Sequence, residues 1–260
     1  MKNYFYFLLT SFLMSGLWVH ASDITREFKV SSAPDLVLRN IAGEIRVKPG
    51  SSDRVVIHVN RDDDDIEVDM FQSGNRINIK VRYPSRNNYG NRGDIDFRIE
   101  VPAKCNNLEL HSVSGSIEVT GIRSQMNLQT VSGDIELSRC AGEMKLNAVS
   151  GDIELDKLGP SAIDASTISG NVDYRDASLE GGDYSFSSTS GNININHSAS
   201  ASYRISGRTI SGNISNNVAN TIEIKRSKYA STESVSGYYN GEDVWIEAHS
   251  VSGDISIRKN

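Results

Sequence analysis

The chain has 260 residues, of which 38% are hydrophobic and 23% charged, and a formal net charge of −6 at pH 7. This acidic balance disfavours nonspecific nucleic-acid binding, which requires a basic face. The length suits one or two ordinary domains or a single elongated solenoid.

The N-terminus has the pattern of a secretory signal peptide. Lys2 is followed by an apolar stretch from Tyr4 to Val19, and Val19 and Ala21 have the small or aliphatic character that signal peptidase accepts. The alternative is an uncleaved anchor, but the stretch is short for a span of about 20 residues and no polybasic flank follows it. We therefore predict a signal peptide over residues 1–21, export to the periplasm or the cell surface, and no transmembrane segment after cleavage.

Residues 22–103 are predicted to form a β-rich N-terminal region. Apolar and polar residues alternate in segments such as Arg54–Asn60 and Arg76–Arg82, as in strands with one buried face. Ile41–Val47 resembles a diverged copy of the repeat that follows, and residues 84–93 are the most loop-like. Because an open solenoid end exposes unpaired strand edges, we expect this region to act as a cap.

A Ser-Gly motif recurs through residues 104–260. Segments such as Val131–Leu137 and Val149–Leu155 share the pattern Val-Ser-Gly-Asp-Ile-Glu-Leu, and a degenerate eighth copy begins at Val235. Such a period indicates a repeat architecture, in which stacked copies bury one continuous core. The repeated glycines are Gly115, Gly133, Gly151, Gly170, Gly191, Gly212, Gly237 and Gly253.

Apolar residues occupy fixed positions around each glycine. They lie two residues before it and two and four residues after it, which predicts a strand with one buried face, and a second apolar pair lies five and seven residues before it. The predicted fold is therefore all-β: a β-solenoid of about eight two-stranded turns. Glycine suits the corner because the backbone of the next turn lies directly against it.

Two outward columns of side chains are candidates for function or stability. Asn171, Asn192 and Asn213 follow the glycine on successive copies, which predicts a structural amide ladder. An acidic column lies three residues after the glycine. We state the hypothesis that this face meets a cationic partner or divalent ions; the alternative is a solvated face neutralised by Lys145, Lys157, Arg123 and Arg139. The acidic column consists of Glu118, Glu136, Glu154 and Asp173.

No catalytic constellation is recognisable in the sequence, and we predict no enzyme, cofactor or metal site. The histidines at 58, 111, 197 and 249 have no cysteine or acid at a telling spacing. Asp62–Asp65 lacks the spacing of a calcium loop and is interpreted as a solvated turn. Cys105 and Cys140 lie about two turns apart, which is too far for a disulfide.

Arg98–Pro102, followed by the Val-Ser-Gly-Asp-Ile-Glu-Leu copies, resembles the bacterial putative-adhesin family of exported β-solenoid domains. The resemblance covers residues 35–257 and implies the fold, while the family has no established catalytic residues. The expected function is a non-catalytic envelope or surface protein that binds a protein or glycan partner as an adhesin or scaffold. The alternatives are an envelope-stress accessory or sensor module and a carbohydrate-active enzyme.

Overall fold

The computed structural model describes residues 23–83, 93–177, 179–218, 221–228 and 231–259. The predicted signal peptide and most of the predicted loop at 84–93 lie outside these ranges. Within them the chain is all β-strand and turn, and no helix is long or apolar enough to cross a membrane.

The strands before the Ser-Gly repeats are β1 (Asp23–Lys29), β2 (Asp35–Arg39), β3 (Ile45–Pro49), β4 (Arg54–Arg61), β5 (Glu67–Ser73), β6 (Arg76–Arg82) and β7 (Ile95–Val101). The strands from the first repeat to the fifth are β8 (Lys104–Ser114), β9 (Ile117–Thr120), β10 (Arg123–Ser132), β11 (Ile135–Ser138), β12 (Gly142–Ser150), β13 (Ile153–Asp156), β14 (Ser161–Ser169), β15 (Val172–Ala177), β16 (Gly181–Ser190) and β17 (Ile193–His197). The remaining strands are β18 (Tyr203–Ser211), β19 (Ile214–Asn216), β20 (Ile222–Arg226), β21 (Glu233–Tyr239), β22 (Trp245–Ser252) and β23 (Ile255–Lys259).

Across the described ranges these strands form two long sheets. Sheet I has 11 strands in the order β1-β4-β7-β3-β9-β11-β13-β15-β17-β23-β19. Sheet II has 12 strands in the order β20-β21-β18-β22-β16-β14-β12-β10-β8-β2-β6-β5. Strands from both sides of residue 104 belong to both sheets, and the predicted division of the chain at that point stays a prediction.

Each solenoid turn contributes one long strand to sheet II and one short strand to sheet I. In one such turn, β10 leads through the corner at Gly133 into β11. Neighbouring turns pair in parallel with like residues side by side, for example Leu128 with Leu146 and Ile135 with Ile153. The repeat therefore fixes the register, because a one-residue slip would turn the buried side chains outward.

Glycine is required at the corners because the turns touch there through their backbones. A Cβ atom added at Gly151 would overlap the carbonyl group of Gly133, and one added at Gly133 would overlap that of Gly115. Gly43, in the segment interpreted as a diverged copy, lies in the same way against Gly115. In the described residues the stacked corner glycines are Gly43, Gly115, Gly133, Gly151, Gly170, Gly191, Gly253 and Gly212.

The positions two residues before the glycines were predicted to be buried. Val235, before Gly237, is buried, but at the stacked corners of the repeat the prediction is wrong. The side chains seven, five and three residues before Gly133, namely Met126, Leu128 and Thr130, point into the core together with Ile135 and Leu137 after it. Alternation along the strand then directs the residue two before the glycine outward. The exposed residues at this position are Val113, Val131, Val149, Ile168, Val251 and Ile210.

The turns do not stack in chain order. The last two strands, β22 and β23, insert between the turn β16–β17 and the turn β18–β19. The last repeat is therefore an inner layer rather than the exposed end of the solenoid. His249 on β22 consequently lies five strands from His111 on β8.

Antiparallel strands complete both ends of the stack. At one end β1 and β4 continue sheet I and β5 continues sheet II. At the other end β21 pairs antiparallel with β18, and β20 pairs antiparallel with β21. Val235–Gly237, the degenerate eighth copy, belongs to this antiparallel β21 and forms no solenoid corner.

Candidate binding surfaces on the two outer faces

The acidic column is formed as expected on the outer face of sheet I. Glu136 on β11 pairs in register with Glu118 on β9 and with Glu154 on β13, and Glu154 pairs with Asp173 on β15. Adjacent strands lie about 4.8 Å apart, so four carboxyl groups follow one another along the solenoid axis. Whether this column binds anything stays a prediction.

The ends of the acidic column are neutralised by arginines that the sequence interpretation did not select. Arg46 Nε lies 3.1 Å from Glu118 Oε2, and Arg175 Nη1 lies 3.3 Å from Glu154 Oε2. Asn194 donates from Nδ2 to Asp173 Oδ1 over 2.8 Å. Arg46 comes from the N-terminal region, where sequence spacing gave no indication that it would stack beside the first repeat.

Glu136, at the centre of the column, has a raised pKa. Partial burial makes the largest contribution, and the charges of Glu154 and Glu118 add to it. Both effects disfavour the charged form of the carboxyl group. The column is therefore a place where an added positive charge would relieve repulsion.

The column directly after the corner glycines holds the turns together, but not as the predicted amide ladder. Each side-chain oxygen accepts a hydrogen bond from the backbone N–H of the next turn, as in Asp152 N to Asp134 Oδ1 at 2.8 Å and Asn171 N to Asp152 Oδ1 at 2.7 Å. The inserted last turn also places Asp254 between Asn192 and Asn213. The three asparagines are consequently not on consecutive layers.

A buried hydroxyl column three residues before the glycines escaped the sequence interpretation. Thr167 Oγ1 donates to the carbonyl of Gly151 at 3.0 Å, and Ser188 Oγ donates to that of Gly170 at 2.9 Å. These hydroxyls satisfy corner carbonyls in the interior, where an unpaired polar group is costly. The sequence signal for this column was the recurrence of serine or threonine three residues before the glycine. Such residues are also common on the exposed face of a strand, so their burial was not predicted.

The exposed apolar positions form a continuous line on the outer face of sheet II. Strand order places Val113, Val131, Val149 and Ile168 side by side, followed by Thr189, Val251 and Ile210. We call these seven residues the aliphatic ladder. Its six apolar members are 40–52% exposed. Six steps between strands give it a length of about 30 Å.

A shallow groove interrupts the aliphatic ladder where threonine replaces the aliphatic residue. It has a volume of ≈ 320 Å³ and is lined by residues that include Thr189, Val251, Arg208 and His249. The polar column beside the ladder, four residues before the glycines, carries Gln129, Asn147, Ser166 and Ser187 in its central part. The ladder is thus a narrow apolar strip with hydrogen-bonding groups along one side.

The histidines show no catalytic arrangement in the part of the chain that the structure describes. His58 Nδ1 lies 3.0 Å from Thr25 Oγ1, and His111 Nε2 lies 3.1 Å from Glu109 Oε1. Buried His197 contacts Tyr203 Oη through Nε2 at 3.0 Å. None of these contacts joins a hydroxyl or thiol to a histidine that is also held by a carboxylate, which a nucleophilic triad requires.

Within the described ranges no group of three or more His, Cys, Asp or Glu residues has the geometry of a metal site. Asp62–Asp65 lies in the turn between β4 and β5. Arg61 binds this turn through the carbonyl groups of Asp64 and Ile66 and through the Asp64 carboxylate. The turn at Asp62–Asp65 is therefore held by Arg61.

The two cysteines are buried and free. The Sγ atom of Cys105 donates to the carbonyl of Pro102, and that of Cys140 to the carbonyls of Val119 and Ser138, each over 3.4 Å. Burial raises the pKa of Cys105 to about 12 and also raises that of Cys140. Both thiols therefore stay protonated and inert at neutral pH.

Several solved structures are similar to this chain. A structure described as a putative adhesin from Bacteroides fragilis has 12% identity, covers 92% of this chain and 98% of its own, and gives a TM-score of 0.44. A putative cell adhesion protein from Clostridium sporogenes has 11% identity, covers 92% and 100%, and gives a TM-score of 0.37. No curated protein matches the chain. The family model of Toastrack DUF4097 matches residues 88–258, more than half of the sequence, and the chain therefore belongs to the Toastrack DUF4097 family.

Proposed function

We propose that the protein is a non-catalytic binding protein of the bacterial cell envelope or surface, and that a protein partner docks along the aliphatic ladder. The observation that carries this proposal is the ladder itself. Scattered exposed aliphatic residues are normal on protein surfaces, but six of them in one row, broken only at Thr189, indicate an interaction site. The names of the similar solved structures agree with an adhesive role and add no argument of their own.

The shape of the ladder favours a protein with an apolar stripe of its own. A strip about 30 Å long and one side chain wide matches the apolar face of an amphipathic helix of about 20 residues. The groove at Thr189 offers a place for one larger anchoring side chain of that partner. The amides and hydroxyls beside the ladder supply hydrogen bonds for the polar flank of the helix.

The test replaces Val131, Val149 and Ile168 with threonine, the residue that the same column already holds at position 189. A photo-reactive amino acid at Gln129, beside the ladder, then reports the partner by cross-linking in intact cells. We expect the triple variant to lose the cross-linked protein and to keep its melting temperature within a few degrees. A variant with Glu136→Gln on the opposite face serves as the matched control and should keep the cross-link.

Two results would contradict the proposal. An unchanged cross-linking yield in the triple variant would show that the ladder is not the docking surface. A collapse of its melting temperature would show that the ladder serves stability alone. The identity of the cross-linked protein also separates an adhesin or scaffold from an envelope-stress accessory module, since the latter requires a signalling partner.

We also propose that the protein is exported and that residues 1–21 are removed as a signal peptide. N-terminal sequencing of the protein recovered from the envelope should begin at Ser22. A sequence that begins at Met1 would contradict cleavage.

The acidic column is a second candidate surface, favoured by the raised pKa of Glu136. We propose that it meets a cationic partner or divalent ions. If so, calcium or magnesium should raise the melting temperature of the native protein, and this response should weaken when Glu136 and Glu154 are both changed to glutamine. An equal response in the two proteins would exclude this role.

A further inference from the structure

A third surface lies on the outer face of sheet II, near the end of the sheet that contains β20 and β21. On β18 and β22 it occupies the end of the strand opposite to the aliphatic ladder. Tyr238 on β21 pairs with Arg204 on β18, and Arg204 pairs with Trp245 on β22. The three side chains are exposed in a row across adjacent strands, with Tyr238 47% and Trp245 38% exposed. Two large aromatic rings are thus presented to solvent on either side of an arginine.

The arginine is held in place by its neighbours. Its guanidinium carbon lies 4.9 Å from the centre of the Trp245 ring, a cation–π contact, and its Nη1 atom lies 3.6 Å from Glu242 Oε2. These contacts restrict both the guanidinium group and the indole. Of the two aromatic rings, that of Trp245 is therefore partly preorganised, which lowers the entropic cost of binding a ligand.

A cleft of ≈ 390 Å³ lies against this row. Its lining combines the two aromatic residues with hydroxyl and carboxylate side chains, among them Ser206, Ser236 and Glu223. Gly237 lies on the same lining and contributes no side chain. The cleft thus offers apolar ring surfaces and many hydrogen-bonding groups, with its one guanidinium group opposed by carboxylates.

We propose that this cleft binds a neutral oligosaccharide. A sugar presents C–H surface on its ring faces and hydroxyl groups around its edge, which matches rings flanked by hydroxyls and carboxylates. Strand spacing places Tyr238 and Trp245 about 10 Å apart, a span that two linked sugar rings fill. The carboxylates disfavour an anionic ligand, and the polar rim lacks the apolar surround typical of the centre of a protein interface.

This inference does not depend on the aliphatic ladder, which lies about 20 Å away along the strands, six residues nearer the corner. Val131, Val149 and Ile168 can therefore be changed without touching the cleft. The same triple threonine variant should bind the oligosaccharide as the native protein does. A result that contradicts one proposal would therefore not contradict the other.

The sequence supplies a convenient reporter for this site. Of the two tryptophans, Trp18 lies in the predicted signal peptide, so Trp245 is the sole tryptophan of the mature chain. We would titrate the mature protein with glucose and N-acetylglucosamine hexasaccharides and follow its fluorescence. We expect a saturable change in emission with at least one of these probes, since a sugar that stacks on the indole displaces water from it.

The variants separate specific stacking from general stickiness. Tyr238→Ala should weaken binding at least tenfold, whereas Tyr238→Phe keeps the ring and should remain within a few-fold of the native protein. Phe71, 54% exposed on β5 at the opposite end of sheet II, provides the matched control. Phe71→Ala should leave binding unchanged.

The proposal is overturned if neither hexasaccharide changes the emission of Trp245. It is also overturned if Phe71→Ala weakens binding as much as Tyr238→Ala does. Cross-linking from position 238 to a protein, with no response to either sugar, would assign the cleft to a protein partner instead.

Discussion

The corner glycines allow the solenoid turns to stack, because each has only a hydrogen atom where other residues have a side chain. At Gly151 the neighbouring turn leaves no room for a Cβ atom, because the carbonyl of Gly133 occupies that space. The rows of side chains on both sheets depend on this close approach. The recurrence of glycine in the sequence was sufficient to predict it.

We expect Gly151→Ala to lower the free energy of unfolding by about 3 kcal/mol, since the two backbones must move apart. Urea denaturation measures the loss. Gly74, between β5 and β6, is the matched control: it has φ +60°, and a Cβ atom added there would meet nothing within 4 Å. Gly74→Ala should cost only about 1 kcal/mol of backbone strain. Equal losses in the two variants would show that close packing at the corner is not the cause.

His197 is a buried histidine whose surroundings favour the neutral ring. Nδ1–H donates to the carbonyl of Ser198 at 2.8 Å, which leaves Nε2 to accept from the hydroxyl of Tyr203. The Tyr239 ring packs against it, and Lys259 lies beside it on β23. Burial is the largest cause of its lowered pKa, and the charge of Lys259 contributes.

The lowered pKa predicts a loss of stability in acid. As the pH falls through about 6.5, the unfolded chain takes up a proton on this histidine before the folded chain does. The free energy of unfolding therefore decreases with falling pH until the folded histidine is also protonated. Urea denaturation at neutral pH and near pH 5 should show a smaller decrease for His197→Gln. The histidines at 58, 111 and 249 remain in both proteins, and an equal decrease in both would assign the effect to them.

At the scale of a strand pair, the acidic column contains repulsion between like charges. The sequence pattern implies this repulsion but does not show which carboxyl group bears most of it. Glu136 has a carboxylate neighbour on each side, whereas Glu118 and Glu154 each have an arginine. The central carboxyl group is therefore the one whose charge opposes folding.

We expect Glu136→Gln to raise the free energy of unfolding at pH 7 by about 0.5 kcal/mol, a value typical of partly exposed charges. Because the folded pKa of Glu136 is raised, its charge lowers stability above that pKa. The gain should disappear well below about pH 4, where glutamate is protonated in both states. Glu143→Gln, at an exposed site on sheet II, is the control and should have no such effect. A gain of the same size in that variant would mean that net charge alone is responsible.

Strand alternation explains which columns could be predicted from the sequence. Leu128, Ile135 and Leu137 are apolar and buried, and their spacing gave the correct side. Val131 is equally apolar but faces solvent, because the inward phase of β10 ends at Thr130 and resumes only after the bend. Residue type alone does not give the side of a strand where the chain turns a corner. The aliphatic ladder was thus present in the sequence and was assigned to the wrong face.

The order of the layers could not be predicted for a different reason. All copies share one corner geometry, so the turn that contains Gly253 fits between those of Gly191 and Gly212 as well as it would fit at the end. Similarity among repeats fixes how two turns pair, but not which two turns pair. The cleft beside Trp245 escaped prediction because it depends on this order, which brings β22 next to β18.

At the scale of the whole molecule, the inserted turn predicts an unusual sensitivity to truncation. A chain ending at residue 240 loses four fully buried side chains from an inner layer of the stack, Ile246, Ala248, Ile255 and Ile257. Burying three such isoleucines contributes roughly 5–9 kcal/mol, comparable with the total stability of a typical domain. We expect this chain to lose its cooperative thermal transition, as measured by circular dichroism.

Removal of β1 is the comparison for this truncation. Its residues Asp23–Lys29 lie at the edge of sheet I and none is buried. A chain that begins at Val30 should keep a cooperative transition, with a lower midpoint. The interpretation is contradicted if the loss of β1 is the more damaging of the two.

The position of β22 and β23 has a consequence for biogenesis. These strands are synthesised after both of the layers that they separate, so a chain that is cut short before them lacks an inner layer of the solenoid rather than its end. The turns β16–β17 and β18–β19 are joined in each sheet through β22 and β23. The native order of both sheets therefore requires these strands, and the fold is completed only after residues 245–259 have been synthesised.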